Sequence, residues 1–150
     1  GTDEAAGMME EYFTRFGGIR DYLHEVVERA RVDGYTQTLW GRRRYLPDLN
    51  SDNRQRREMA ERMALNAPVQ GSAADLVKVA MLEVNRSLHD AGLRTRMLLQ
   101  VHDELVLEVG PGEQAEATAV VIEAMTGVKE LRVPLEVSVG AGPDWDSAAH

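Results

Sequence analysis

Cysteine is missing altogether from this 150-residue chain, which excludes disulfides and thiolate-held metals. A reducing, cytoplasmic setting fits that lack. Aromatic residues make up only 5% of the sequence. The longest apolar runs fall far short of the roughly 20 residues that a membrane-spanning helix needs, so no membrane partner is expected. Positive charge is also scarce. Seventeen Lys and Arg face 25 Asp and Glu, a net charge of −8, the wrong sign for binding nucleic acid over the whole surface. No secretory leader is expected ahead of the first helical pattern. The opening Gly1-Thr2, in place of Met, suggests a piece of a longer protein.

What charge there is falls unevenly. Residues 1–35 hold 4 basic and 8 acidic side chains, 36–96 hold 11 and 7, and 97–150 hold 2 and 10. A basic middle and an acidic end are compatible with phosphate binding and a cation site, and equally with internal charge balance. The length allows a domain that buries roughly two-thirds of its unfolded surface.

The first third reads as two helices. Met9, Tyr12, Phe13 and Phe16 share one face of a helix over 3–16, and Gly17-Gly18 is expected to break it. Ile19, Tyr22, Leu23, Val26, Val27 and Ala30 repeat the spacing, with Gly34 as the stop. Both helices are expected to be packing elements. Next, Thr36, Thr38 and Trp40 alternate with Gln37 and Leu39, and Gly41 permits a turn into Arg42-Arg43-Arg44. This is a small β-hairpin with a basic return arm. Its three arginines, bounded by Trp40 and Tyr45, suit a phosphate backbone, or simply a solvated turn.

Ser51 or Asp52 is expected to cap the following helix, with Met59, Met63 and Ala64 facing inward. Asn66-Ala67-Pro68 should interrupt it, since Pro68 lacks an N–H and disfavours helix at Ala67. A second helix then runs from Pro68 to about Ala91, with Leu76, Val79, Ala80, Leu82 and Leu88 as packing positions. Arg62, Asn66 and Gln70 fall four apart, a row of donors and amide acceptors that suits the minor-groove edges of base pairs, or a polar row of the kind that any helix surface produces by chance. Strands are expected over 96–101 and 104–109, a helix over 113–125 and an alternating strand over 133–139. Trp145 anchors the tail. The class is α+β, with a short antiparallel sheet in β-β-α-β order.

Between the first two of those strands stands His102-Asp103-Glu104, an imidazole and two carboxylates at a chain reversal. His-Asp is not a strong turn pair. A solvated polar turn and a chemical site both fit these residues.

Taken together, several stretches resemble family-A DNA polymerases of the bacterial DNA polymerase I type. They are Gly41-Arg42-Arg43-Arg44-Tyr45-Leu46-Pro47, the run from Glu61-Arg62-Met63-Ala64-Leu65-Asn66-Ala67-Pro68-Val69-Gln70-Gly71-Ser72 to Asp75, Gln100-Val101-His102-Asp103-Glu104-Leu105-Val106, and Gly142-Pro143-Asp144-Trp145. The likeness covers essentially the whole chain, in order. It implies a cytoplasmic, nucleoid-associated bacterial enzyme of replication and repair that carries out template-directed nucleotidyl transfer by a two-metal mechanism.

By the same resemblance Asp103 binds catalytic Mg²⁺, Glu104 is the accessory carboxylate, and Arg62, Asn66, Gln70 and His102 lie along the primer–template. Residues 1–50 become fingers-side helices with the small hairpin, and 51–150 a palm segment. The implied partners are primer–template DNA, deoxynucleoside triphosphates and the upstream remainder of the polymerase. That remainder is needed because the family's other catalytic aspartate and its nucleotide-gripping lysine have no match here. The isolated chain is therefore expected to be inactive. A catalytically inactive nucleic-acid-binding module and a plain structural domain are the alternatives.

Overall fold

The structure, a computed structural model, describes residues 2–148. Its packing divides the chain at Ser72/Ala73 into two compact units.

The first unit begins with α1 (Thr2–Arg15) and α2 (Gly17–Asp33). Both form where the apolar spacing predicts, but the break falls at Phe16 rather than at the two glycines. The expected packing face of α1 is largely bare: Met9, Tyr12 and Phe16 are exposed, and the rings of Tyr12 and Phe16 lie 4.9 Å apart. α2 ends as expected at Gly34, whose φ of 79° is the left-handed conformation that glycine adopts without strain.

The hairpin of β1 (Tyr35–Gln37) and β2 (Arg43–Tyr45) follows, pairing Thr36 with Arg44. A 3₁₀ turn, Pro47–Asn50, leads to α3 (Arg54–Asp90). The core joins Ala30 of α2, Leu46 and Leu49 after the hairpin, and Ala60 and Ala64 of α3. Arg31 ties the same parts together, donating to the Leu49 carbonyl and to the Glu61 carboxylate.

Two expectations fail within α3. The cap is Asn53, not Ser51 or Asp52: its Oδ1 accepts from the Arg56 N–H at 3.2 Å, the N-cap to N3 geometry. The helix also runs through Pro68 without interruption. Proline removes one ladder bond and costs about 3 kcal/mol in a helix interior. Residues before and after it are held in a packed core, Ala60 and Ala64 in the first unit and Val84 and Leu88 in the second. Tertiary burial therefore overrides the local preference.

The second unit holds the rest of α3, the antiparallel pair β3 (Arg96–Val101) and β4 (Glu104–Glu108), α4 (Gln114–Thr126) and the one-turn α5 (Trp145–Ala148). Val84, Leu88, Ala117, Val121 and Ala124 form its core, with Leu105 and Leu107 of β4 against it. Leu82, an expected packing position, is 74% exposed, while Val84, two residues on, is fully buried. Met97 pairs with Leu107 and Leu99 with Val106, so Leu98 is an extra residue, a bulge in β3. The strand expected over 133–139 does not form among the described residues. Pro134 cannot donate to a ladder, and Val133 and Val139 stay exposed. Trp145 anchors the tail only weakly, since about half of it is exposed.

One carboxylate fixes the start of α4. Glu113 accepts from the backbone N–H groups of Arg94 (3.0 Å) and Thr95 (2.8 Å), the Thr95 hydroxyl (2.8 Å) and Arg94 Nε (3.1 Å). The Arg94 backbone bond, followed by the bonds from Thr95 and the guanidinium, outweighs burial and lowers its pKa from 4.5 to about 2. The unfolded carboxyl therefore takes up a proton more readily than the folded one. Glu113 contributes its full stabilisation above pH 4.5, and the contribution is lost as pH falls from there towards 2. Urea unfolding at stepped pH should show wild type losing stability across that window. Glu113→Gln should be less stable at pH 7 and flatter with pH; identical slopes would remove Glu113 from the account.

Candidate functional site

The first unit carries a polar cavity of about 480 Å³. Thr36, Gln37, Thr38 and Arg42 to Arg44 line it from the hairpin, and Met63, Asn66, Ala67, Gln70 and Gly71 from α3. Five of the expected DNA-binding residues thus meet here: Arg42, Arg43, Arg44, Asn66 and Gln70. Because α3 is unbroken, the four-residue spacing of Arg62, Asn66 and Gln70 does place them along one face, drifting about 40° per step. All three are exposed, and Arg62 lies beyond the cavity wall.

The arginines are not loose. Arg43 lies over the Tyr35 ring with Cζ 4.4 Å from its centroid. A hydrogen bond with Tyr45 and then the electrostatic influence of the nearby Tyr35 raise its pKa, so it stays cationic. Arg44 reaches Met63 Sδ at 3.6 Å, and Arg42 donates to the Gly71 carbonyl at 3.1 Å. Three fixed cations beside amide side chains suit an anionic polymer that also presents hydrogen-bonding edges. The Thr36 hydroxyl, buried in the same wall, has no hydrogen-bond partner among the described residues.

In the second unit, His102 and Asp103 form the two-residue connection of the β3–β4 hairpin, and Glu104 pairs with Val101. All three side chains are exposed. His102 has φ 54°, the only positive φ outside glycine among the described residues. A positive φ at the first loop position is one that glycine usually fills, so a histidine there is strained by roughly 1–3 kcal/mol. The paired strands hold it, and Gln100 Nε2 braces the loop by donating to the His102 carbonyl at 2.7 Å. The backbone thus fixes where Asp103 stands.

Adjacent carboxylates are the hard oxygen donors that Mg²⁺ takes, so the donor chemistry fits. No group of three or more Asp, Glu or His able to hold a metal exists among the described residues. No described helix is long and apolar enough to cross a membrane.

Thr38, Gly71 and Ser72, none of them a candidate site residue on sequence, join the hairpin to α3. Their signal was Gly71 itself, since a glycine inside a helical pattern marks a close approach.

Comparison with known proteins agrees with the resemblance. The model of DNA polymerase family A matches residues 1–147. DNA polymerase I of Mycobacterium tuberculosis is 63% identical over 149 residues, 99% of this chain and 16% of the relative. The thermostable DNA polymerase I of Thermus aquaticus is 53% identical over 147 residues, 97% of this chain and 17% of the relative. Among solved structures, the POL domain of Pol1 from M. smegmatis, in complex with DNA primer–template and dNTP, superposes with a TM-score of 0.97 at 63% identity. That match covers 100% of this chain and 26% of the neighbour. The chain therefore spans about a sixth of the length of the curated relatives it matches. With the family model matching nearly every residue, the chain belongs to DNA polymerase family A.

Proposed function

We propose that this chain supplies a nucleic-acid grip and one carboxylate pair to a DNA-directed DNA polymerase that acts on primer–template DNA with deoxynucleoside triphosphates. The observation that carries the reading is the cavity in which Arg42, Arg43, Arg44, Asn66 and Gln70 come together. Family membership makes primer–template its natural occupant. The arginines bind backbone phosphates and fix the register of the duplex. Arg62, Asn66 and Gln70 offer donors to the N3 and O2 acceptors that every base pair presents in the minor groove, a contact indifferent to sequence. His102 belongs to the same DNA-facing set, and Asp103 and Glu104 would hold Mg²⁺. When bound, the ion offsets charge that builds up on phosphate oxygens. The remainder of the polymerase supplies the other carboxylate and the triphosphate grip, and the work takes place in the cytoplasm, on the nucleoid.

A second reading, binding without catalysis, draws on the tip's two carboxylates, too few for a complete metal centre. Fluorescence anisotropy with a labelled primer–template, using the full-length polymerase that carries this chain, tests the first reading. Arg62→Ala and Gln70→Ala should each weaken binding by about 1–3 kcal/mol, the range for a lost charged or buried hydrogen bond. Unchanged affinity in both variants would remove the row from the DNA interface.

A further inference from the structure

We infer that Gly71 and Ser72 are positioning residues: they seat the arginine-bearing hairpin on α3 and so set how many backbone phosphates its arm neutralises. The inference deepens the nucleic-acid reading of the cavity and rests on it.

The hairpin needs such a seat. Its strands are three residues each, and a lone two-stranded hairpin is marginal in water. At the loop end, the Leu39 N–H donates to Ser72 Oγ at 2.9 Å, and Ser72 is buried. Beside it Arg42 Nη2 donates to the Gly71 carbonyl at 3.1 Å. One donor of Arg42 is therefore spent on the helix, which fixes where the following arginines start.

Gly71 makes this approach possible. A Cβ there would lie 2.8 Å from Thr38 Cγ2 and 3.4 Å from Arg42 Nη2. Thr38 cannot easily yield. It is buried, its branched side chain is stiff at χ1, and its Oγ1 accepts from the N–H groups of Trp40 and Arg42, both at 3.3 Å. Turning the methyl away would break those bonds and open the loop that Thr38 closes with Arg42 and Gly41. Any side chain at position 71 must therefore lift the loop. Asn66, Ala67 and Gln70 line the cavity from the same helix, so the seat also sets the width between the arm and the amide row.

The test is a salt series in the full-length polymerase with a fluorescein-labelled primer–template. Each phosphate neutralised contributes about 0.9 to the slope of log affinity against log salt. Ser72→Ala and Gly71→Ala should weaken binding about five- to tenfold and lower that slope by about one to two phosphates. In Ser72→Ala turnover at saturating DNA should change little, and Ser72→Thr, which keeps the acceptor, should restore the slope. Should Gly71→Ala fail to fold, the two Ser72 variants decide. An unchanged slope in Ser72→Ala, whatever its melting temperature, makes the seat merely structural and overturns the inference. Arg44→Gln separates the two levels. If its slope falls while that of Ser72→Ala does not, the inference alone is lost; if neither moves, the phosphate reading of the arm is lost as well.

Discussion

Asp103→Asn in the full-length polymerase is expected to abolish most turnover while leaving primer–template affinity much less changed. Asn keeps the shape of the side chain and one oxygen acceptor but removes the charge. The hairpin connection that carries it is set by the backbone, through the left-handed His102 and the Gln100 brace, so the substitution should leave the tip in place. On the role proposed for Asp103, the charge is lost where phosphate oxygens gain charge in the transition state, which lowers kcat more than binding. A clamp worth several kcal/mol corresponds to about 10²- to 10⁴-fold in rate. Single-turnover extension of a labelled primer, with affinity measured in parallel, gives both numbers. Near-wild-type turnover would show that Asp103 has no part in the chemistry.

The second large effect is an absence. Residues 1–150 alone should extend no primer with any divalent metal. Two ions about 3.5–4 Å apart need carboxylates from more than one side, and the tip brings Asp103 and Glu104 only. For the same reason Mg²⁺ should bind the isolated chain weakly. The isolated chain should also self-associate. Met8, Met9, Tyr12, Ile19 and Tyr22 in the first unit and Leu98 and Leu99 in the second are all exposed, and such apolar surface draws in another chain. A gel assay for extension and sedimentation at rising concentration check both claims. Extension above background would count against the proposed division of the catalytic centre. A strictly monomeric chain would show that these apolar residues are tolerated in water.

Much of the fold was legible because helices announce themselves by spacing. Val27 and Ala30 in α2, and Ala117, Val121 and Ala124 in α4, pack as their period requires. The hairpin with its basic arm and the acidic tip were legible as composition changes between apolar runs. Pro68 misled because its penalty is local, whereas the burial that overrides it comes from residues several turns away. Leu82 misled because hydrophobicity says that a residue prefers burial, while the phase of the helix decides which one achieves it; Val84 took the place. The segment 133–139 alternates correctly, yet a strand also needs an edge to pair with, which its own sequence does not supply. Most of the candidate interface could be read as a list of residues. The seat at Gly71 and Ser72 could not, because a steric approach between distant segments leaves only a glycine behind.

The bulge at Leu98 has a consequence for how this part of the protein tolerates changes in length. Two residues of β3 stand opposite one of β4 there, so the pairing above and below the bulge is offset by one position. Replacing Leu98, which is exposed, by another residue alters a side chain and little else. Deleting it makes Met97–Leu107 and Leu99–Val106 consecutive pairs of a regular ladder and removes the bend and extra twist that the bulge puts into β3. The loop that carries Asp103 would then be re-aimed although no functional residue had been touched. In this hairpin the number of residues is constrained more tightly than their identity, and a harmless-looking indel would be more damaging than most substitutions.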